Sequence, residues 1–251
     1  MSKLLPRSPD HGADGALQPG PPVEPLSLFE GPLSHRVYLS LKRAILSLAF
    51  RPGEALRKQE LCAALGVSRS PVSDALTRLA GEGLVRIVPQ AGSYVARFSM
   101  AEIREGAFLR EALELAAVEH LAPRITDDQI ARLNRNLVVQ QALVDSGDRD
   151  GFYEQDAAMH GMMMGFTGFR RLGTLTETAW LQVDRARRLM LPAPGRIEAT
   201  LVEHRAIVAA LADRSPEAAR QALRSHLRQL VTYLEPLEAA MPELFDSDPA
   251  G

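Results

Sequence analysis

The sequence has a single cysteine, few aromatic residues and no long apolar run. Because Cys62 stands alone among 251 residues, no intrachain disulfide can form, and a reducing compartment is expected. No uninterrupted apolar stretch approaches the roughly 18 residues of a membrane helix, and the N-terminus lacks the charged-then-apolar order of a signal peptide. These absences exclude a disulfide scaffold and predict a cytoplasmic protein without a membrane partner.

Neither sign of charge dominates the chain as a whole. It carries 29 Lys and Arg against 31 Asp and Glu, and this net charge of −2 argues by itself against a nucleic-acid partner. The distribution is uneven, however, because residues 1–33 carry −2, residues 34–97 carry +6 and the remainder carries −6. A basic module followed by an acidic one indicates a polyanionic partner for the first, although Arg-rich composition alone can scatter charge to this extent.

Local patterns divide the chain into four regions. Residues 1–33 hold seven of the 17 prolines and almost no apolar periodicity, which predicts a flexible tail. The basic module is expected over 34–97 and a helical domain over 98–240, followed by a C-terminal tail at 241–251.

The basic module has the order of three helices and a hairpin. Gly66 permits a tight turn between the second and third helices, Ser68 is a good N-cap, and Pro71 falls in the first turn of the third helix. Pro89 to Gly92 supply the turn between two short β-type runs. The pattern predicts a winged helix-turn-helix, with helices at 37–48, 59–65 and 68–81 and strands at 84–88 and 93–97.

The third helix of such a module enters the major groove of DNA by its N-terminal turn. Arg69 lies in that turn and could make two hydrogen bonds to guanine O6 and N7, while Ser68 and Ser70 could bond phosphates or base edges. A single surface arginine is more often simply solvated, and a protein-binding three-helix module is the alternative for the whole arrangement.

An ordered set of motifs resembles the winged helix of GntR-family bacterial transcription regulators. It comprises Arg51-Pro52-Gly53-Glu54, Gly66-Val67-Ser68-Arg69-Ser70-Pro71-Val72, Glu82-Gly83-Leu84 and Gly92. The chain has Gln59 and Ser73 where members usually have arginines that are associated with DNA contact. The resemblance implies DNA contacts at Lys58, Gln59, Ser68, Arg69, Ser70, Ser73, Gln90 and Gly92.

The acidic half shows long helical segments and no strand-like alternation. Ser99 to Glu102 and Thr126 to Gln129 have the form of a capping box, and Ser215-Pro216 gives a cap followed by proline. The fold class is therefore predicted as mainly α, an N-terminal winged helix-turn-helix followed by an all-α antiparallel bundle.

Three histidines of this half suggest a metal site. Asp156 and His160 are four residues apart and lie on one face of a helix, whereas His204 and His226 lie on later helices. If these helices are neighbours, the four side chains could hold a divalent transition metal, zinc first and otherwise Ni, Mn, Co or Fe. Spacing does not show convergence, and each histidine alone could be a core or surface residue.

The same order resembles the FadR-type C-terminal ligand-binding (FCD) domain that commonly follows this winged helix. The stretch Arg110-Glu111-Ala112-Leu113-Glu114 is similar to the Arg-x-x-Leu-Glu pattern of that domain. The resemblance implies that Asp156, His160, His204 and His226 are the ligands. The open positions of the metal would take a small carboxylate effector, with Arg110 as its counter-charge or else paired with Glu114. Arg185 and Arg188 are further candidates.

The sequence thus predicts a metal-containing, effector-responsive transcription regulator, a repressor acting as a homodimer on double-stranded operator DNA. A hydrolytic or oxygen-activating enzyme is the alternative, but no general base or nucleophile accompanies the proposed ligands in a motif. A regulator whose helical domain only dimerises, with structural histidines, is the third possibility.

Overall fold

The computed structural model describes residues 21–172, 175, 180–190 and 193–246. The chain forms two units that divide between Val95 and Ala96, two residues before the boundary expected from the sequence. Among the described residues, no helix is long and apolar enough to cross a membrane.

The first unit is the predicted winged helix-turn-helix. Its helices are α1 (Leu33–Leu46), α2 (Lys58–Leu65) and α3 (Arg69–Gly81), and its strands are β1 (Val85–Val88) and β2 (Gly92–Val95). The apolar faces of the helices meet in one core, because residues at helical spacing are buried together. The largest buried side chains of this core are Leu41, Ile45, Leu61, Leu76, Leu79 and Leu84.

The turn between α2 and α3 depends on a glycine. Gly66 is the C-cap of α2 with φ 65° and ψ 35°, and its N–H donates to the Cys62 carbonyl. This left-handed conformation costs a residue with a Cβ about 1 to 2 kcal/mol. Ser68 is the N-cap residue of α3, as expected, but its side chain makes no capping hydrogen bond.

The wing is a two-stranded antiparallel hairpin. Val85 pairs with Val95 and Val88 with Gly92, and Ala55 adds an isolated bridge to Tyr94. Gln90 and Gly92 at its turn both have positive φ. The turn of the hairpin at Gln90 is exposed, whereas Val85 and Val95, which pair at its other end, are buried.

Both predicted tails are shorter in the structure than in the sequence-based division. Val23 and Leu26 pack against the core of the first unit, and Ser40 Oγ donates to the Glu24 carbonyl at 2.8 Å. At the other end, Phe245 is buried and lies 5.7 Å from Phe98 between ring centroids. Isolated apolar residues anchor these segments, and such residues leave no periodic pattern in the sequence.

The second unit is a helical bundle, as predicted. Its described helices are α4 (Met100–Leu121), α5 (Asp127–Ser146), α6 (Arg149–Phe166), α7 (Leu181–Met190), α8 (Arg196–Ala212) and α9 (Pro216–Ala240). Thr126 and Gln129 form the complete capping box of α5, whereas Ser99 accepts one bond from the Glu102 N–H.

The core of the bundle fixes which helices are neighbours. Buried side chains from five helices form one cluster, including Val118, Leu133, Phe152, Leu201 and Leu223. Contacts join α4 with α9, α8 with α9, α5 with α6 and α5 with α8. The helices that carry Asp156, His204 and His226 are thereby brought around a common interior.

Gly66→Ala should destabilise the first unit by about 1 to 2 kcal/mol, because the left-handed conformation would then carry a Cβ. No atom lies within 4 Å of the new Cβ, so the backbone alone causes the loss. Chemical denaturation of the full chain measures it. Gly81→Ala, at the end of α3 and also without neighbours within 4 Å, is the control and should be neutral or stabilising. Equal effects of the two substitutions would contradict this interpretation.

Candidate metal centre and nucleic-acid interface

One face of α3 is exposed and polar at its N-terminal end. Arg69 and Ser70 are exposed and Ser73 is half-buried, while Val72 and Leu76 point into the core. Residues 69 and 73 are four apart and so share one line along the helix. Among the described residues, Arg69 has no ion-pair partner, so its guanidinium is available to a ligand.

The other predicted DNA-contacting residues are also on the surface of the first unit. Lys58 and Gln59 open α2, Ser68 precedes α3, and Gln90 and Gly92 lie at the turn of the wing; all five are exposed. Thr77, which the motifs do not identify as a DNA contact, continues the line of Arg69 and Ser73 one turn further along α3. Its four-residue spacing from Ser73 is the feature of the sequence that places it on the same face of the helix.

The four predicted metal ligands converge in the interior of the second unit. Asp156 and His160 lie one turn apart on α6, His204 lies on α8 and His226 on α9, and all four are buried. One ligand atom from each lies within 4.8 Å of the others. The convergence that spacing alone leaves open is thus present.

The imidazoles face the shared centre with their Nε2 atoms. Nε2 of His160 lies 3.2 Å from Nε2 of His226, and Nε2 of His204 lies 3.0 Å from Oδ1 of Asp156. Both carboxylate oxygens of Asp156 and Nε2 of His204 lack a hydrogen bond of good geometry. Buried polar atoms without such bonds are costly. A cation bound at the centre would satisfy Oδ1 of Asp156 and Nε2 of His204, whereas Oδ2 of Asp156 is already in contact with Arg187.

Each histidine is held from the opposite side of its ring. Nδ1 of His160 lies 2.6 Å from Glu114 Oε2. Nδ1 of His204 lies 2.8 Å from Gln140 Oε1, and Nδ1 of His226 lies 2.7 Å from Glu203 Oε2. Oxygen acceptors at these places put the proton on Nδ1 and leave the Nε2 lone pairs directed at the centre. This is the arrangement that metal-binding histidines have in proteins, so the residues fit a metal ion.

Burial and charge set the protonation states that ligation requires. Burial, followed by the neighbouring imidazoles and arginines, lowers the pKa of His204 and of His226 well below 6.5. Burial would raise the pKa of the Glu114 carboxyl, but the attraction of Arg110 and of His160 outweighs it and holds that pKa below its ordinary value. His204 and His226 are therefore neutral, and Glu114, the acceptor beside His160, is ionised.

Arginines line the small cavity next to this cluster. Arg110, Arg187 and Arg196 border it together with Asp156 and His226, and its volume is about 20 Å³. Arg187 contacts Oδ2 of Asp156 directly. A water molecule needs about 10 to 15 Å³, so the cavity has room for little more than one water.

The predicted effector arginines occupy different places. Arg110 lines the cavity and forms the alternative ion pair with Glu114 at 2.6 Å, while its role towards an effector stays a prediction. Arg185 is fully buried against Phe98, its pKa is lowered by burial to about 10, and none of its nitrogens has a hydrogen-bond partner among the described residues. Arg188 pairs with Asp150 at 2.7 Å. Neither borders the cavity beside the cluster.

Sequence reasoning missed Arg187, Arg196, Gln140 and Glu203. Arg196 bonds Glu203 through two nitrogens at 2.9 and 2.6 Å, seven residues along α8. Nothing in the spacing of these residues identifies them, because their role depends on how helices meet.

The metal-free protein should lose stability as the pH falls below 6.5. Burial keeps His204 and His226 neutral when folded, whereas the unfolded chain protonates them near their ordinary pKa of 6.5. The unfolded state then binds more protons, and each histidine removes up to about 1.4 kcal/mol per pH unit from the free energy of unfolding. Thermal unfolding of chelator-treated protein between pH 7 and 5 checks this. His226→Gln should respond less steeply, and identical profiles would refute the assignment.

Two family models match the two units. The gntR family of bacterial regulatory proteins matches residues 33–95, and the FCD domain matches residues 105–229. Both agree with the units that the structure forms. They also agree with the resemblances noted in the motifs.

Similar proteins cover most of the chain. An HTH-type transcriptional regulator in an unstable DNA locus of Streptomyces ambofaciens is 37% identical over 85% of this chain and 90% of its own length. The HTH-type transcriptional repressor RspR of Escherichia coli is 33% identical over 79% and 87%. Among solved structures, a putative GntR regulator from Rhodococcus sp. RHA1 is 27% identical over 81% and 97%, with a TM-score of 0.72.

Another solved structure, E. coli McbR/YncC, shares the fold with a TM-score of 0.72 at 22% identity, over 83% of this chain and 99% of that one. The family and these relatives indicate a regulator and set the enzyme alternative aside. The chain belongs to the GntR family of bacterial transcription regulators and carries an FCD domain behind its winged helix.

Proposed function

We propose that the protein is a repressor that binds operator DNA as a homodimer and responds to a small carboxylate effector at a divalent metal in its FCD domain. The observation that carries the proposal is the convergence of Asp156 with the Nε2 atoms of three histidines. Each of these histidines also has an oxygen acceptor at its Nδ1 atom. The relative RspR is named a repressor, which supports the sign of regulation. DNA as the partner supports a cytoplasmic location.

The DNA-binding half of the proposal rests on the exposed end of α3. Arg69 has no competing ion pair among the described residues and can reach base edges from the N-terminal turn. One winged helix reads only a short half-site, so two copies related by a two-fold axis supply useful specificity. The DNA backbone on either side of the α3 contact would be bound by Lys58, Gln59 and the turn at Gln90.

Arg69→Ala should weaken binding to DNA from the promoter region of the protein's own gene by roughly 5- to 150-fold, since a lost bidentate base contact costs about 1 to 3 kcal/mol. Arg135→Ala is the matched control, because it removes an exposed arginine from α5 in the acidic unit. Binding is measured by fluorescence anisotropy at several salt concentrations, and wild-type affinity should fall steeply with salt. Equal affinities of the two variants would count against the assigned role.

The metal-binding half rests on the donor set. Nitrogen and oxygen donors without a thiolate suit Zn²⁺ first and Ni²⁺, Mn²⁺, Co²⁺ or Fe²⁺ as well. A bound ion would supply a positive charge with open positions for a carboxylate oxygen. The chain's own part is to hold Asp156, His160, His204 and His226 at one point and to exclude bulk water from it.

The effector would meet arginine side chains beside the metal. Arg110, Arg187 and Arg196 border the cavity and are natural counter-charges for a carboxylate. The cavity of about 20 Å³ cannot admit an organic acid, so the lining side chains must move when one binds. Effector binding would then favour one arrangement of the helices over another, limited by its difference in affinity for the two.

Asp156→Asn should abolish stoichiometric metal binding, because an amide oxygen is a weaker ligand and cannot neutralise the ion. Asp150→Asn is the matched control on the same helix, where the carboxylate is largely exposed and pairs with Arg188. Metal content is measured after purification without a His tag and after loading with Zn²⁺ alone. Less than one metal per several wild-type chains would show that the helical domain lacks the site and that its histidines are structural.

A further inference from the structure

Asn136 and Gln140 on α5 belong neither to the ligand set nor to the cavity lining. We propose that they are positioning residues that hold His204 in the tautomer that metal binding requires. The inference rests on the metal centre of the proposed function and assigns to α5 a part in it that the motifs do not suggest.

The two side chains form a continuous relay from the backbone to the histidine. Nδ2 of Asn136 donates to the backbone carbonyl of Gln155 at 3.1 Å and to its side-chain Oε1 at 2.9 Å. Oδ1 of Asn136 accepts from Nε2 of Gln140 at 2.7 Å. Oε1 of Gln140 then lies 2.8 Å from Nδ1 of His204.

The direction of this relay is fixed at its far end. A backbone carbonyl can only accept a hydrogen bond, so the NH2 group of Asn136 must face Gln155. The oxygen of Asn136 therefore faces Gln140, whose NH2 group must face it in turn. Only the oxygen of Gln140 remains for His204, and an oxygen there requires a proton on Nδ1. Nε2 is thus left bare towards Asp156 and the other imidazoles.

Burial makes the alternative orientation costly. Gln140 and His204 are completely inaccessible and Asn136 is buried, so water cannot take over a broken bond. Turning the amide of Gln140 would set its oxygen against that of Asn136 and its NH2 group against Nδ1, leaving buried polar groups unsatisfied. Nε2 of Gln140 also lies 3.9 Å from Sδ of Met159, a weak acceptor that agrees with the orientation.

His204 differs in this respect from the other two histidines. His160 and His226 face the carboxylates of Glu114 and Glu203, and an ionised carboxylate can only accept. A neutral amide can present either end, so Gln140 needs the anchor that Asn136 provides. The relay consequently supports one ligand without adding a further negative charge to the buried cluster.

The test compares Gln140→Leu with Gln141→Leu in the full chain. Gln141 is the adjacent residue of α5, half-buried, and it bonds Asp145 and Arg205 instead of the metal cluster. Zn²⁺ affinity is measured by competition with a chromophoric chelator. Gln140→Leu should weaken it by roughly 10- to 100-fold, the usual effect of removing a partner of a metal-binding histidine. Gln141→Leu should match wild type.

A second readout reports the tautomer directly. Nitrogen-15 NMR of the histidine rings in metal-free protein shows which nitrogen carries the proton, and His204→Gln identifies the signal. Wild type and Gln141→Leu should show His204 protonated on Nδ1, and Gln140→Leu should lose that preference. Asn136→Leu, which removes the anchor but leaves Gln140 in place, should also lose the tautomer preference.

Three results would overturn the inference: a wild-type His204 protonated on Nε2, Zn²⁺ affinity and tautomer unchanged by Gln140→Leu, or an Asn136→Leu variant that keeps the wild-type tautomer preference. The first of these needs no variant of the relay and so stands even if Gln140→Leu prevents folding. A wild-type protein without Zn²⁺ affinity would refute the metal centre instead, while the ring spectrum would still decide the role of the relay.

Discussion

Most of the ionisable groups around the histidine cluster of the FCD domain are paired within the fold, because little water reaches them. Asp156, Glu114 and Glu203 bring carboxylates to the cluster, and Arg110, Arg187 and Arg196 bring guanidinium groups against them. Breaking one such buried pair leaves an uncompensated charge, which typically costs several kcal/mol. The helices of the bundle are therefore held in place by this polar interior as well as by the apolar core around it.

The same groups serve two purposes at once. Glu114 pairs with Arg110 and also accepts a hydrogen bond from Nδ1 of His160. Glu203 does the same for Arg196 and for Nδ1 of His226. An anion that attracts either arginine competes with a carboxylate that supports a ligand. Under the proposed function, binding of an effector and binding of a metal would be linked, and by thermodynamic necessity each would change the affinity for the other by the same factor.

Much of the fold was predictable because its signals are local. Gly66, the capping residues Thr126 and Gln129, and the turn before Gly92 each determine the backbone within a few residues. The pair Asp156 and His160 was predictable for the same reason, since four-residue spacing places them on one face.

The remainder of the site depends on tertiary packing and could not be found in this way. Gln140 looks like any polar residue of an amphipathic helix until α8 is packed against α5 and His204 comes into reach. Arg196 and Glu203 are seven residues apart, and their pairing acquires meaning only once α9 supplies His226. The anchoring of Val23 and Phe245 escaped prediction because a single buried residue leaves no period in the sequence.

Adjacent residues of α8 have separate tasks in the centre. In the proposed metal centre His204 is a ligand, while Glu203, about 100° further back around the helix, supports the proposed ligand His226 on α9. A small rotation of α8 about its axis would displace one imidazole and release another in the same movement. The ligand set would then change by two members together, so loss of the centre would be abrupt, and the orientation of a single helix would decide it.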